Sequence, residues 1–172
     1  MGIGKEVREL LQQGREATLT ELALADSRAL RPLVGRLWDS DSTIRERAAR
    51  VLGKAAASHE ALGEDLIRRL MWALNDESGT NGVYGIPALG EIGRCAPELL
   101  AAHLPGLVAL SHDDGLRLEI LRALAALAEA APALVAGELE RLQCWVDDSR
   151  PDERQAFGRL VELTAGREGR GV

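Results

Sequence analysis

An acidic turn recurs along this chain at nearly constant spacing, and that recurrence constrains the fold more than any other feature. It follows an apolar residue at Leu37-Trp38-Asp39-Ser40-Asp41, Leu74-Asn75-Asp76-Glu77, Leu110-Ser111-His112-Asp113-Asp114 and Val146-Asp147-Asp148-Ser149. The leading residues are 37, 36 and 36 positions apart. A second marker follows each turn: Val51-Leu52-Gly53, Ala88-Leu89-Gly90, Ala123-Leu124-Ala125 and Ala156-Phe157-Gly158. Its small third residues are 37, 35 and 33 apart. A third marker, Ala96-Pro97 and Ala131-Pro132, repeats after 35 residues. Proline suits the first position of a helix, where its missing N–H would find no partner anyway. Three markers with one period imply a solenoid of helix pairs, each unit too small to bury its own apolar face.

Each unit reads as helix A, an acidic turn, then helix B. In the first full unit, helix A covers about Ser27 to Trp38, with Leu30, Leu33, Val34 and Leu37 at helical spacing on one face. Helix B covers about Ser42 to Ala57, with Ile44, Ala48, Val51, Leu52 and Ala55 inward, and Thr43 to Glu46 reads as a capping box. The second unit spans about Glu60 to Cys95, the third Pro97 to Ala131 and the fourth Pro132 to Ala165. A shorter pair, Lys5–Gln13 and Arg15–Ala25, is expected to cap the N-terminal end. Gly53 costs a helix about 1 kcal/mol against alanine, so its recurrence at Gly90 points to close approach of neighbouring helices. The expected fold is therefore all-α: a right-handed α-solenoid, or α-α superhelix, of about four helix pairs plus the capping pair. Residues 1–165 form one domain in this reading, and 166–172 a flexible tail.

The stretch Leu33-Val34-x-x-Leu37-x-Asp39-x-Asp41-x-x-Ile44-Arg45-x-x-Ala48-Ala49-x-x-Leu52-Gly53 resembles the HEAT repeat, especially its short prokaryotic PBS-lyase HEAT-like form. The resemblance covers the chain from Ser27 onward, but only this unit lies close to consensus. The third and fourth units read as lacking the apolar-Arg pair at its usual place. The resemblance implies an interaction scaffold. A minority of such proteins are bilin lyases or their regulators, and some distant ones bind DNA lesions, but no functional residue of theirs maps onto this chain by motif. The second unit breaks the pattern. Trp72 to Ile92, with Pro87 inside the helical period, resembles a small prokaryotic subgroup of HEAT-like proteins, which brings no activity with it.

Composition narrows the function classes. Hydrophobic residues make up 46% and aromatic ones 3% of the 172 residues, and helix-forming Ala and Leu abound. The net charge of −6 disfavours duplex or RNA binding, which relies on basic faces that displace counterions. No apolar run approaches the roughly 20 residues of a membrane span. The N-terminal segment has no apolar signal-peptide core, and Glu6 stands where a myristoylation signal wants Ser or Thr. A cytoplasmic protein is expected. Cys95 and Cys144 are far apart, lack metal-type pairing and read as small buried hydrophobes.

The best candidate site is the loop from Asn75 to Gly85. Gly79, Gly82 and Gly85 fall where helix B should begin, and glycine permits close approach of a ligand. Asn75, Asp76, Glu77, Ser78, Asn81 and Tyr84 bring polar groups, with Trp72 adjacent. A longer, self-capped turn accounts for the same residues without a partner. The acidic row Asp39, Asp41, Asp76, Glu77, Asp113, Asp114, Asp147 and Asp148 could attract a basic partner or a divalent cation. Helix capping accounts for it better. His59-Glu60 lacks the second histidine of a zincin, because Gly63 stands there, and His112 reads as a loop residue. No nucleophile elbow or phosphate loop occurs. Arg45, Arg47 and Arg50 read as a solvated face, and Trp38, Trp72 and Trp145 as core plugs or capping contacts. The expectation is a non-catalytic protein–protein interaction scaffold with no cofactor, metal or catalytic residues. The alternative is a lyase-like ligand-binding or enzyme accessory protein with Asp76, Glu77 and Tyr84 as acid–base groups; a nucleic-acid binder ranks last.

Overall fold

The computed structural model describes residues 2–75 and 82–166. All regular structure among them is helical. The capping pair is α1 (Ile3–Gln12) and α2 (Glu16–Ala25). The first A segment is α3 (Leu30–Gly35) between 3-10 turns Ser27–Ala29 and Arg36–Trp38, followed by its B helix α4 (Ser42–Ser58). The second unit holds α5 (Glu60–Asn75), a 3-10 turn Gly82–Gly85 and α6 (Ile86–Cys95). The third holds α7 (Pro97–Ala101), α8 (Leu104–Ala109), a 3-10 turn Leu110–His112 and α9 (Arg117–Ala130). The fourth holds α10 (Pro132–Ala136), α11 (Leu139–Gln143) and α12 (Pro151–Ala165). The pairs stack as an α-solenoid in which α4, α6, α9 and α12 pack successively on one another.

The B-to-A turns share one geometry. Asp26, His59, Ala96 and Ala131 have φ of −132°, −149°, −147° and −139°, each leaving the helical region to break one helix and launch the next. Pro97 and Pro132 follow two of them at the first helical position. Pro87 also sits in the first turn of α6, so that helix starts late and loses no internal hydrogen bond.

Each B helix buries an apolar stripe. Ile44, Ala48, Val51, Leu52 and Ala55 are all buried on α4, and Ile120, Leu121, Leu124 and Leu127 on α9. Small residues set the helix separation. A Cβ on Gly53 would lie 2.7 Å from the Glu91 carbonyl oxygen, and one on Gly90 2.9 Å from Ala123 Cα. The recurring glycine is therefore a contact between successive B helices, which is why the chain accepts its helix-propensity cost. Gly158 is different, because nothing lies within 4 Å of its missing Cβ.

Three local expectations need correction. Thr43 does not cap α4; Asp41 does, its Oδ1 accepting from Thr43 N–H at 2.8 Å. Aspartate at that position reaches the second N–H of the helix, so the cap lies two residues earlier than the box placed it. Cys95 and Cys144 are exposed free thiols rather than buried hydrophobes. Arg47 and Arg50 are not merely solvated: Arg47 Nη1 donates to Leu11 O and Gln12 O at 2.7 and 3.0 Å, closing the end of α1. Arg50 pairs with Glu16 on α2 at 2.7 Å, where its hydrogen bond chiefly holds that carboxyl below its ordinary range. The capping pair is thus fastened to α4 by charge-assisted bonds. Of the expected tail, Gly166 ends α12, and 167–172 lie outside the described residues.

Candidate functional site

The A-to-B turns explain where a site can form. In three of them an arginine at the start of helix B reaches back to a carbonyl six residues earlier. Arg45 Nη1 donates to Asp39 O at 2.7 Å, Arg117 Nε to Ser111 O at 2.7 Å and Arg154 Nη1 to Asp148 O at 3.1 Å. The third unit therefore does carry the apolar-Arg pair, as Leu116-Arg117, correcting the sequence expectation; the fourth keeps the arginine but as Glu153-Arg154, without the apolar partner. The turn aspartates are internal braces: Asp39 accepts from Asp41 N–H, Asp113 from Gly115 N–H and Asp147 from Ser149 N–H, at 2.7–3.1 Å. Among the described residues, helix capping, the expected role of the acidic row, is seen only at Asp41 on α4; α9 and α12 carry no side-chain cap, and Asp39, Asp113 and Asp147 instead tie their own turns. His112 Nδ1 lies 2.8 Å from Ala109 O, and among the described residues no group of three or more His, Cys, Asp or Glu could hold a metal ion.

The second unit has no such arginine. Its place in the period falls at Asn81-Gly82, and the chain instead folds back on α5. A Cβ on Gly82 would lie 2.6 Å from Ala73 O, so only glycine allows this approach. The turn Gly82–Gly85 buries both its glycines, half-buries Val83 and turns Tyr84 outward. The guanidinium of Arg45 lies 5.3 Å above the Tyr84 ring, a cation–π contact between the first and second units.

Tyr84 forms one wall of an open groove of about 520 Å³ across α4, α6 and α9. Ser42, Arg45 and Glu46 contribute from α4, Pro87, Glu91 and Arg94 from α6, and Glu119 and Arg122 from α9. Gly90, Ala123 and Ala126 line its base, where the close helix contact leaves no room for larger side chains. The rim carries three arginines and three glutamates. Arg122 pairs with Glu119 at 2.6 Å, and Arg94 with Glu129 at 3.2 Å and Glu91 at 3.8 Å. Among the described residues, Arg45 and Glu46 have no ion-pair partner. A second groove of about 520 Å³ adjoins it between α9 and α12, and Val83 and Glu119 line both.

Behind the second groove lies a buried ion pair. Arg117 and Glu153 are 5% and 2% exposed and bridge α9 to α12 at 3.2 Å. Burial alone would push the Glu153 carboxyl up; hydrogen bonds from Asp147 N–H, Arg117 and Arg150 outweigh it and hold the pKa below its ordinary value. Burial likewise opposes the Arg117 charge, and its bonds to Asp114 and Glu153 prevail and raise its pKa.

The sequence-predicted site divides. Tyr84 lies in the groove. Asn75 is exposed at the end of α5, its Nδ2 donating to Met71 O at 2.8 Å within its own helix. Trp72 is 71% exposed on α5, so it is no core plug, and it does not line either groove. Trp145 stacks with Arg141 at 5.4 Å. Asp76, Glu77, Ser78 and Asn81 lie outside the described residues. Sequence reasoning missed Arg45, Glu46, Pro87, Arg94, Glu119 and Arg122, which meet only when three units stack. The available signal was their position on the outward stripe of successive B helices.

The stacked helix pairs, the shared turn geometry and the recurring turn arginine decide the architecture. The chain is an α-solenoid of stacked helix pairs. No protein-family model matches it. An uncharacterized protein of Archaeoglobus fulgidus is 35% identical over 81 residues, which is 47% of this chain and 43% of that protein. The chain thus spans less than half of that relative's length. The uncharacterized phycocyanin operon protein Z of Pseudanabaena tenuis is 27% identical over 161 residues, covering 88% of this chain and 74% of that protein. The crystal structure of the archaeal HEAT-like repeats protein from Thermococcus onnurineus NA1 aligns over 94% of this chain and 65% of its own, at 24% identity and a TM-score of 0.44.

Proposed function

We propose that this chain is a non-catalytic protein-interaction scaffold that seats an extended segment of a partner protein in the groove across α4, α6 and α9. One observation carries the reading. The turn that departs from the repeat is the turn that supplies Tyr84 and Val83 to the groove wall. Departures from a repeat's own rules concentrate where a chain does something other than fold. The groove sets a proline face beside an exposed tyrosine ring and arginines, and Tyr and Arg are among the residue types that dominate binding energy at protein interfaces. Arg45 and Glu46 keep charge available to a partner, whereas Glu91 and Glu119 are taken up by Arg94 and Arg122. The unpaired thiols Cys95 and Cys144 fit a reducing, cytoplasmic setting.

Site-specific photocrosslinking tests this. A benzoylphenylalanine replacing Tyr84 or Pro87 is expected to capture a partner from native lysate, with capture competed by excess wild-type chain and not by Tyr84→Ala. Capture from position 72 with silence at 84 and 87 would move the interface to α5 and refute the groove.

A further inference from the structure

The two adjoining grooves differ in charge, and we infer that the partner segment is basic at the end that lies against α12. The inference rests on the reading of the first groove as a segment-binding site. The first A-to-B turn is balanced, with Asp39 and Asp41 against Arg36 and Arg45. The third and fourth turns are not. Asp113, Asp114, Asp147, Asp148, Asp152 and Glu153 face only Arg117, Arg150 and Arg154.

Much of this charge is committed. Glu153 is buried between Arg117 and Arg150, and Glu119 pairs with Arg122. Of the carboxylates lining the second groove, Asp152 is left without an ion pair among the described residues, and Asp114, though paired, is largely exposed. Asp114 is 66% exposed at its side chain, although Arg117 and Arg150 both lean on it at 2.6 and 3.6 Å. Asp152 is exposed and has no ion-pair partner among the described residues. Among the described residues, Arg150 is the only cation lining this groove. Phosphate or an acidic segment is repelled here, and a guanidinium or ammonium is attracted.

Val83 and Glu119 line both grooves, so the grooves form one continuous track. Packed helices stand about 8–10 Å apart, and an extended chain advances about 3.3 Å per residue. Moving from Tyr84, at the start of α6, to Asp152 in α12 crosses two B-helix spacings and therefore takes about five or six residues. The occupant is an extended segment with an aromatic or aliphatic residue on Tyr84 and Val83, and a Lys or Arg about five or six positions away at Asp152 and Asp114.

The test uses the full chain and a phage-displayed library of random peptides. Enriched peptides are expected to carry Lys or Arg about five or six residues from an aromatic or aliphatic side chain. One such peptide, made with a fluorescent label, is expected to lose about fivefold in affinity against Asp114→Asn/Asp152→Asn. It should also bind more weakly as salt rises. Asp152→Asn alone breaks no ion pair, so it keeps the test valid if the double variant unfolds. Glu162→Gln, outside both grooves, should leave affinity unchanged. Enriched peptides without a basic excess that still depend on Tyr84 would sink the charge assignment and leave the groove standing. No enrichment, or peptides indifferent to Tyr84→Ala and to Asp152→Asn alike, would sink both.

Discussion

Replacing one glycine by alanine should have opposite effects at two positions of this solenoid. On helix propensity alone, alanine for glycine inside a helix is worth about 1 kcal/mol. At Gly158, exposed in α12, nothing lies within 4 Å of the new methyl group, so Gly158→Ala should realise that gain. At Gly53 the methyl would stand 2.7 Å from Glu91 O, 2.8 Å from its carbonyl carbon and 2.9 Å from its Cβ. Two of those atoms are backbone, so α6 itself must move. Overpacking of this kind costs about 1–3 kcal/mol. Set against the propensity gain, Gly53→Ala should be destabilising by about 1 kcal/mol. The two variants should then differ by about 2 kcal/mol, or about 4–8 °C in melting temperature for a chain of this size. Thermal unfolding followed by circular dichroism reads this directly. If Gly53→Ala stabilises the protein as much as Gly158→Ala does, the close approach of α4 and α6 is not what the glycine is for.

Three further outcomes are expected. Arg117→Ala leaves Glu153 buried with fewer partners and should cost about 3–5 kcal/mol, whereas Arg154→Ala, at an exposed turn, should cost under about 1 kcal/mol; urea titration compares them. Glu153 has a folded-state pKa below the ordinary 4.5, so its contribution is present above that value and lost as pH falls through the folded pKa. Stability measured from neutral pH downward should fall more gently below pH 4.5 in Glu153→Gln than in wild type; an unchanged slope would contradict the assignment. Asp41→Ala should cost about 1 kcal/mol through loss of the α4 cap. Thr43→Ala should stay within about 0.5 kcal/mol, and a reversal of that order by chemical denaturation would restore Thr43 as the cap.

Much of the fold was legible because its causes are local. Apolar spacing placed the helices, and the alanines before Pro97 and Pro132 placed the turns between units. The recurring Gly53 and Gly90 announced close helix contacts, although not which atoms they meet. The errors were of reach. Asp41 and Thr43 stand two residues apart and both suit a cap, so only geometry separates them. Arg117 and Arg154 escaped notice because the arginine acts on a carbonyl six residues back, a relation that apolar periodicity does not reveal. The candidate site was half legible. The glycines and Tyr84 marked the broken turn, but the groove depends on side chains from three units. Trp72 drew attention by type and proves to stand apart from it.

The central claim is that the groove walled by the Gly82–Gly85 turn is where this scaffold meets its partner. Hydrogen–deuterium exchange, with and without a saturating peptide selected from the library, tests it most directly. The account predicts added protection in Gly82–Arg94 and in the α9 segment Glu119–Ala126, with α5 from Glu60 to Asn75 unchanged. Protection confined to α5 around Trp72, with the turn and α9 unaffected, would contradict it.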